Sequence, residues 1–295
     1  MKTKEKHQSI TRLKNKKHSI PMLCKLFEVS PSGYFSSLKM PISPRKNRRE
    51  NLKTKITNIF TQHKSRYGRP RVYRQLLAQG EQISEKMVGR LMRSEGLVAR
   101  KKRAFRPKTT HNTPRSKYAP NLLKDRPATT APGEVIVTDI TYVATKEGWL
   151  YLAAVMDLHS KIIKGYAMEE TMHTELIIKT LERAMKRDPK LTGSIHHSDR
   201  GCQYTSQEYL QKLSDYQLAK SMSAKGNCYD NAAMESFWAT LKTEAFPESG
   251  VFESKESARQ AIFEYIEGYY HTQRMHSSLN YLTPLAAEMA AKLAA

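Results

Sequence analysis

An alternating apolar run with one carboxylate inside it constrains the fold of this chain more than any other feature. Residues 134–143 read Glu-Val-Ile-Val-Thr-Asp-Ile-Thr-Tyr-Val, and this two-residue alternation predicts a β-strand. Asp139 shares the face of Val135, Val137 and Val143, so its side chain is expected to point toward a core. Because an unpaired buried carboxylate is costly, the pattern indicates a bound cation.

Two more acidic residues occupy comparable positions downstream. Asp199 ends the short run 194–199, which predicts a strand that stops at a turn, and Glu235 falls in the helical stretch 231–242, with 35 residues between it and Asp199. Oxygen ligands select a hard cation such as Mg²⁺ or Mn²⁺. Two such ions about 3.5–4 Å apart are a recurring device for in-line displacement at phosphorus. The three carboxylates therefore predict metal-dependent phosphoryl transfer.

Positive charge is concentrated in the first part of the chain. The formal net charge is +22, and residues 1–126 carry 33 Lys and Arg against 7 Asp and Glu, whereas the remainder carries 17 against 21. Neutralisation of phosphates with release of counterions is the usual reason for such a surface. A merely solubilising tail is the alternative, but this region also shows helical periodicity and caps. We therefore expect a protein that cuts and joins DNA, with the basic half as its main DNA-binding surface.

Composition excludes several other classes of protein. No run of 18 apolar residues is present, so a membrane span is not expected, and no apolar stretch follows the basic N-terminus as in a secretory signal. Cys24, Cys202 and Cys228 are few and unclustered. Their spacing favours a reducing cytoplasm and argues against both a disulfide framework and a zinc site.

The coarse pattern predicts two helical units followed by an α/β domain. Residues 1–50 are expected to form a basic helix-turn-helix-like segment, with a helix, a turn and a second helix at 19–36 and a basic linker at 41–50. Residues 51–99 indicate a second helical DNA-binding unit with a helix-turn-helix pattern. After a basic linker, 100–132, strands are expected near 134–145, 149–157, 161–168, 194–199 and 217–222, with helices near 173–187, 206–215, 231–245 and 254–272. This order predicts a mixed five-stranded sheet covered by helices on both faces, over residues 133–285, with a tail at 286–295.

Three short motifs contain the carboxylates, and a fourth motif lies near the C-terminus. They are Thr138-Asp-Ile-Thr-Tyr142, His197-Ser-Asp-Arg-Gly201, Asn227-Cys-Tyr-Asp-Asn-Ala-Ala-Met-Glu235 followed by Lys242, and Tyr269-Tyr-His-Thr-Gln-Arg-Met-His276 followed by Leu279 and Thr283-Pro284. In this order and spacing they resemble the DDE transposases of the bacterial insertion-sequence-three family, second-frame (OrfB) product, whose catalytic core is related to retroviral integrases. The resemblance covers roughly residues 20–285.

The resemblance implies a ribonuclease H-like catalytic domain and a specific activity. The enzyme would cleave DNA at insertion-sequence ends and transfer the strand by in-line phosphoryl transfer, using two Mg²⁺ or Mn²⁺ ions. It would work as a homo-oligomer on DNA, together with or fused to an upstream-frame (OrfA) helix-turn-helix protein, in the nucleoid of the bacterial cytoplasm. Retroviral integrases carry an N-terminal zinc module, but here only Cys24 is near His7 and His18, so no zinc is expected.

Roles for the carboxylates and their neighbours follow from the motifs. Asp139 is expected to bridge both ions, with Asp199 on one and Glu235 on the other. Further candidates for contact with DNA are Lys242, which the resemblance assigns to a terminal phosphate, and Asn231, His197, Arg274, His276, Arg90, Arg93, Arg100, Lys101, Lys102 and Arg103. For Arg274 and His276, bracing of the site is the alternative, and for His197 a structural hydrogen bond.

The chain departs from the family pattern at three places, none of them a metal ligand. Val135-Ile136 stands where the family usually has Trp, His271 where it has Asn, and Asn280 where it has Gly. Two other functions remain open at this point. A catalytically inert DNA-binding regulator would rely on the N-terminal helices alone, and a structure-selective nuclease would share the metal site but would not join strands.

Overall fold

The protein begins with six helices and continues into an α/β sheet domain. A computed structural model describes residues 2–14, 18–39, 44–100, 118–124, 126–223 and 231–294. The first six helices are α1 (Thr3–Lys14), α2 (Ile20–Leu26), α3 (Pro31–Lys39), α4 (Pro44–Gln62), α5 (Arg69–Ala78) and α6 (Glu85–Ser94). Within the described residues, no helix has the length and apolar character needed to cross a membrane.

The first three helices share a small core of their own. Its buried members are Ile10, Leu23, Cys24 and Tyr34. The predicted helix, turn and helix of residues 19–36 are confirmed as α2 and α3, and the Ser30 side chain accepts the Gly33 N–H at 3.0 Å as α3 begins. Helix α1 was not predicted, because it contributes only Ile10 to the buried core and shows no apolar stripe.

The prediction of a basic linker at 41–50 is wrong for residues 44–50, which are helical. Helix α4 starts at Pro44, and the charged residues of its first two turns are exposed. Lys and Arg are good helix formers, and the helix is held by the buried face that follows, so a basic composition does not prevent helix formation here. The boundary drawn between units at residue 50 therefore falls inside one helix.

Helices α5 and α6 form the predicted helix-turn-helix-like pair. Pro70 lies in the first turn of α5, where a missing N–H costs nothing. The Ser84 hydroxyl accepts the Met87 N–H at 3.3 Å and caps α6, and Gly96, with φ of +68°, follows its end. Val88, Leu91 and Met92 face inward, which leaves the opposite face of α6 to solvent.

The five predicted strands form one mixed sheet in the order β3-β2-β1-β4-β5. Their bounds are β1 (Val135–Thr145), β2 (Gly148–Asp157), β3 (Ile163–Glu169), β4 (Ile195–Ser198) and β5 (Ala219–Met222). Strand β2 pairs antiparallel with β1 and β3, whereas β4 is parallel to β1 and β5 is parallel to β4. A sixth strand that was not predicted, β6 (Val251–Phe252), pairs with the end of β1.

Helices cover both faces of this sheet, as predicted. The further helices are α7 (Thr174–Arg187), α8 (Gln207–Asp215), α9 (Ala232–Glu244) and α10 (Lys255–Tyr265). Helices α7 and α8 pack on the face of Ile136 and Val155. Helices α9 and α10 pack on the face of Val135, Val137 and Val143, and the buried residues of α4, α5 and α6 belong to the same hydrophobic cluster. The helix-turn-helix-like unit therefore shares a core with the sheet.

Part of the predicted linker 100–132 lies against the sheet. The Leu122 N–H donates to the Ser221 hydroxyl at 2.9 Å, and the Met222 N–H donates to the Pro120 carbonyl at 3.3 Å, next to β5. The Arg200 guanidinium lies 4.6 Å from the centre of the Tyr118 ring. Residues 101–117, which hold most of the linker's basic residues, lie outside the described residues.

The C-terminal part is more ordered than the predicted tail. The predicted helix 254–272 continues past α10 as a π-helical segment, Ile266–Tyr270, and the expected tail 286–295 begins earlier as helix α11 (Pro284–Ala294). Helix α11 is anchored by buried Glu288, whose carboxylate accepts the Lys164 ammonium at 3.0 Å. Lys164 is itself buried in β3, so this pair joins the last helix to the edge of the sheet.

Two of the departures from the family pattern have a local explanation. The His271 ring accepts the Ile163 N–H at 3.1 Å through Nε2, which a side-chain amide oxygen would also accept. Asn280 has φ of +51°, a left-handed conformation that Asn tolerates better than most residues other than Gly. Both substitutions therefore keep the local structure that the family residue would support.

Candidate active site

Asp139 lies on β1, and Asp199 directly follows the neighbouring strand β4. The parallel pairing of β1 with β4 runs to Val137 opposite His197, so the next residues on the same face of the two strands are Asp139 and Asp199. Neighbouring strands lie about 4.8 Å apart. The register of the sheet thus brings together two carboxylates that are 60 positions apart in the sequence.

The charge of Asp139 is opposed by its surroundings. Burial, and after it the negative charge of Asp199, raises the pKa of Asp139 to about 7. Hydrogen bonds work in the other direction: the Trp238 indole N–H donates to Asp139 Oδ2 at 2.9 Å. Two crowded carboxylates with raised pKa values are an arrangement that a cation would stabilise.

Asp199 is held by the turn that follows β4. The Gly201 N–H donates to Asp199 Oδ1 at 2.9 Å, and burial raises the pKa of the Asp199 carboxyl. A Cβ on Gly201 would lie 3.0 Å from that oxygen and 3.2 Å from Gln203 Oε1, closer than ordinary contacts. The glycine after Asp199-Arg200 therefore lets the backbone approach the carboxylate that it orients.

Glu235 stands apart from the aspartate pair. It lies exposed on the first turn of α9, and its charge contributes to the raised pKa of Asp139, although less than burial and Asp199. Across the residues that the structure describes, no three His, Cys, Asp or Glu side chains are close enough to hold a metal ion together. The structure therefore brings two of the three predicted carboxylates together and leaves the third nearby. The segment before α9, residues 224–230, lies outside the described residues.

Helix α9 presents a second polar residue to the site. Lys242 follows Glu235 by two turns on the same helix face, and Trp238 lies between them. Burial lowers the pKa of the Lys242 ammonium, and the negative charge of Asp139 opposes that shift. The ammonium of Lys242 is therefore close enough to Asp139 to feel the charge of its carboxylate.

Two residues near the carboxylates were not predicted to contact them. Trp238 is buried in α9, and its indole N–H makes the hydrogen bond to Asp139 described above. Tyr204 is buried next to the aspartate pair, and after burial the charges of Asp139 and Asp199 are the main causes that raise its pKa. The usable sequence signal for Trp238 is its spacing, three residues after Glu235 and four before Lys242.

Three predicted DNA contacts prove to be interior residues. His197 is fully buried, and its Nδ1 lies 2.8 Å from the Ser221 hydroxyl. Asn231 is buried and donates to the Thr138 carbonyl at 3.3 Å, which fixes the start of α9 against β1. Arg274 is buried in an ion pair with Glu244. Their burial favours roles inside the fold, and it agrees with the structural hydrogen bond considered for His197 and the bracing role considered for Arg274.

His276 is unsuited to be a cationic DNA contact. It is half-buried, and its Nδ1 lies 2.9 Å from the Ser278 hydroxyl. Burial, with the neighbouring charges of Arg274 and Lys161, lowers the pKa of His276 to about 4, so the ring is neutral near pH 7. A neutral imidazole can donate a hydrogen bond to a phosphate but contributes no counterion release.

The remaining basic candidates differ in accessibility. Arg90 and Arg93 are exposed on the outer face of α6. Arg100 is exposed, and its guanidinium donates to the Glu244 carbonyl at 3.3 Å. Lys101, Lys102 and Arg103 lie outside the described residues. An outward arginine pair on the second helix of a helix-turn-helix-like unit has the position expected of DNA-contacting residues.

Comparisons with known proteins agree with this architecture. Residues 129–228 and 216–284 match two family models that are each described as an integrase core domain, and residues 46–105 match one described as an HTH-like domain. Similar solved structures include the HTLV-2 integrase catalytic core domain in complex with magnesium, 14% identical with a TM-score of 0.37, covering 54% of this chain and 97% of that one. A simian T-cell lymphotropic virus intasome chain is 14% identical with a TM-score of 0.43, covering 79% of this chain and 74% of that one.

Sequence relatives match much more closely and along most of their length. The insertion element IS600 uncharacterized 31 kDa protein of Shigella sonnei is 42% identical over 90% of this chain and 96% of its own. The transposase for insertion sequence element IS904 of Lactococcus lactis is 42% identical over 80% and 92%. Transposase InsF for insertion sequence IS3A of Escherichia coli is 38% identical over 95% of both chains.

Proposed function

The chain belongs to the insertion-sequence-three family of DDE transposases, and we propose that Asp139, Asp199 and Glu235 are its catalytic carboxylates. A transposase of this class is a polynucleotidyl transferase, which cleaves DNA at the ends of the mobile element and joins the new end to another strand. The single observation that carries the residue assignment is the register of β1 and β4, which sets Asp139 beside Asp199.

The chemistry consists of two displacements at phosphorus. In the first, water attacks the phosphodiester at the element's end and the 3′ oxygen leaves as a hydroxyl. In the second, that 3′-OH attacks another phosphodiester and a new 3′ oxygen leaves. Both steps need an oriented substrate and stabilisation of the charge that develops on phosphate oxygens. Lys242, whose ammonium feels the negative charge of Asp139, would hold a substrate phosphate.

The integrase core implies a divalent metal ion, and the residues of the site fit one. The donors are carboxylate oxygens, which suit Mg²⁺ or Mn²⁺, and burial raises the pKa of both Asp139 and Asp199, a shift that a bound cation would oppose. Bound metal would activate the attacking oxygen and stabilise the leaving one. The protein's part is to keep Asp139 oriented through Trp238 and Asp199 through Gly201.

We further propose two ions per site and no zinc. The negative charges of Asp199, just after β4, and of Glu235, on α9, both raise the pKa of Asp139, so Asp139 would serve both ions, with one of the other two acids on each. Cys24 is buried in the core of α1–α3, and the His7 ring packs edge-on against Tyr34 with centroids 5.9 Å apart. These residues serve packing, which supports a helical unit that folds without a metal.

The same reasoning extends to partners and location. Each chain supplies one set of carboxylates, whereas transposition processes two element ends, so we propose a homo-oligomer assembled on DNA. We also propose that it acts with the upstream-frame OrfA protein or as a fusion to it, as the family resemblance implies. Its DNA substrate would place it on the nucleoid in the bacterial cytoplasm.

One experiment separates this function from the alternatives. Purified full-length protein is incubated with labelled element ends, an unlabelled target duplex and Mg²⁺, and the products are resolved on denaturing gels. We expect cleaved ends and joined products. Cleavage without joining would indicate the structure-selective nuclease, and binding without cleavage would indicate the inert regulator.

A further inference from the structure

The last residue of α9 forms a buried ion pair that has no part in metal binding. The Arg274 guanidinium donates to both carboxylate oxygens of Glu244, each at 2.8 Å, and the Tyr265 hydroxyl donates to Glu244 Oε2 at 2.9 Å. Only 7% of the Glu244 side chain and 4% of the Arg274 side chain are exposed. A fully engaged pair of this kind fixes its position, because breaking it leaves an uncompensated buried charge.

The helix-turn-helix-like unit reaches the same end of α9. Arg66 donates to the Glu244 carbonyl at 3.0 Å, Arg100 donates to that carbonyl at 3.3 Å, and the Arg71 guanidinium lies 3.9 Å from the Glu244 carboxylate. Cations at a helix C-terminus also interact favourably with its unpaired carbonyls. Three arginines around the helical unit and linker thus converge on one residue of the catalytic helix.

A second set of contacts ties the unit to the C-terminal segment that carries Arg274. The Tyr67 hydroxyl donates to the Gln273 carbonyl at 2.8 Å and accepts the Met275 N–H at 2.9 Å. Arg71 donates to the Met275 carbonyl at 2.9 Å. The buried His63 ring stacks on Tyr67 at 3.7 Å, and its Nδ1 lies 3.2 Å from the Tyr269 hydroxyl. Arg274, the ion-pair partner of Glu244, is therefore itself positioned by contacts from the helix-turn-helix-like unit.

From these contacts we infer that Glu244 is a positioning residue, which fixes the orientation of the catalytic helix α9 relative to the helix-turn-helix-like unit. The inference rests on the proposed function, because the orientation of α9 matters for the reaction only if Glu235 is a catalytic carboxylate. Glu244 follows Glu235 by nine residues, a helix length of about 13.5 Å at 1.5 Å per residue.

A small tilt of α9 at Glu244 moves the catalytic end of the helix, so the contacts of Glu244 are important for the reaction. A tilt of about 5° around Glu244 displaces Glu235, about 13.5 Å away along the helix, by about 1 Å, and a misplacement of that size can cost about 10²-fold in rate. Glu235 is exposed near the other end of the same helix. The contacts of Glu244 at the C-terminal end of α9 therefore determine the position of Glu235. The same contacts determine where DNA bound to the helix-turn-helix-like unit lies relative to the three carboxylates.

The activity test compares Glu244→Gln with Glu288→Gln in the full-length protein. Glu288 forms an equally buried ion pair, with Lys164, that does not touch α9. We expect Glu244→Gln to bind an element-end duplex within about twofold of the parent but to lower the rate of strand cleavage at saturating DNA by tenfold or more. Glu288→Gln should keep the parental rate. Equal rates for the two variants would overturn the inference.

A second readout works even if the parent protein cleaves nothing, so failure of the proposed function would not be mistaken for failure of the inference. Hydrogen exchange of α9 amides is measured without DNA or metal. We expect exchange across α9 to rise at least fivefold in Glu244→Gln and to stay at the parental level in Glu288→Gln.

A milder pair of variants covers the case in which Glu244→Gln does not fold. Arg66→Ala removes a contact to Glu244, whereas Arg69→Ala removes an exposed arginine of the same unit that pairs with Glu85. Faster exchange in α9 for Arg66→Ala alone supports the anchor. Unchanged exchange in α9 for both Glu244→Gln and Arg66→Ala would show that Glu244 does not position the helix.

Discussion

Trp238 donates its indole N–H to Asp139 Oδ2 at 2.9 Å, which links the catalytic helix directly to the central strand of the sheet. The bond favours the ionised form of Asp139 against burial and the neighbouring charge of Asp199. It also helps to fix the orientation of the Asp139 carboxylate. An aromatic residue in the core of α9 thus takes part in preparing the site.

Replacing this indole should impair catalysis more than DNA binding. Trp238→Phe keeps a ring in the core and removes the N–H, so we expect strand cleavage to fall about tenfold, the loss expected for a hydrogen bond to a charged group. The rate is measured at saturating Mg²⁺ and DNA. The matched control is Trp149→Phe, because Trp149 is the other tryptophan and is exposed on β2. Equal cleavage rates for Trp238→Phe and the control would show that the hydrogen bond from Trp238 to Asp139 does not contribute to catalysis.

Arg90 and Arg93 on the exposed face of α6 should each contribute separately to DNA affinity. Arg90→Ala and Arg93→Ala should each weaken binding and flatten the log–log dependence of affinity on salt by about 0.9. Sequence discrimination between an element end and random duplex should also fall, because α6 is placed to read base edges. Lys212→Ala, which removes a cation that pairs with Glu182 between α7 and α8, is the control and should leave the slope unchanged.

Charge reversal in residues 100–103 should act differently from changes in α6. Contacts from a basic linker go to the phosphate backbone, which carries no sequence information. We therefore expect affinities for element-end and random DNA to fall by the same factor. A selective loss of binding to the element end, measured by competition, would instead show that this segment reads sequence.

Metal selectivity follows from the oxygen donors of the site. We expect cleavage with Mg²⁺ and Mn²⁺, and DNA binding with little chemistry in Ca²⁺, which is larger and tolerates looser geometry. A zinc-selective chelator should leave activity unchanged. Stoichiometric zinc, found by elemental analysis of protein purified without added metal, would contradict this expectation.

The acid stability of the fold should depend on Glu267. The Arg187 guanidinium, with His271, lowers the pKa of Glu267 to about 2. Because the folded pKa lies below the ordinary value, this contribution is present above about pH 4.5 and is lost as the pH falls toward 2. We expect Glu267→Gln to lower stability by about 1–2 kcal/mol at pH 7, after allowance for solvent screening of a partly exposed pair. The difference from the parent should shrink as the pH falls below 4, as followed by urea unfolding.

Local sequence patterns were sufficient for the catalytic sheet. Each of the five predicted strands overlaps an observed one, because alternation of apolar residues reports burial directly. The pairing of Asp139 with Asp199 also follows from strand ends and motif order. The exposed arginines of α6 were identifiable because the inward residues of a helix recur with a known period.

Residues whose role depends on distant partners could not be assigned in the same way. Arg274 has the appearance of a surface cation until Glu244, 30 positions earlier, is seen beside it in the interior. Asn231 and His197 likewise fall within motifs but make hydrogen bonds inside the fold. The start of α4 was missed because a charged first turn is compatible with both a helix and a linker, and only the packing of its later turns decides between them.

The most direct test of the catalytic assignment separates DNA binding from chemistry in three full-length variants. Asp139→Asn, Asp199→Asn and Glu235→Gln each remove one negative charge while keeping the size of the side chain. Element-end affinity is measured by fluorescence anisotropy and strand transfer by gel, both in Mg²⁺. We expect each variant to bind DNA close to the parental affinity and to lose strand transfer by at least about 10³-fold, since each lacks a charged metal ligand. Strand transfer near the parental rate in any one variant would contradict the assignment of that residue.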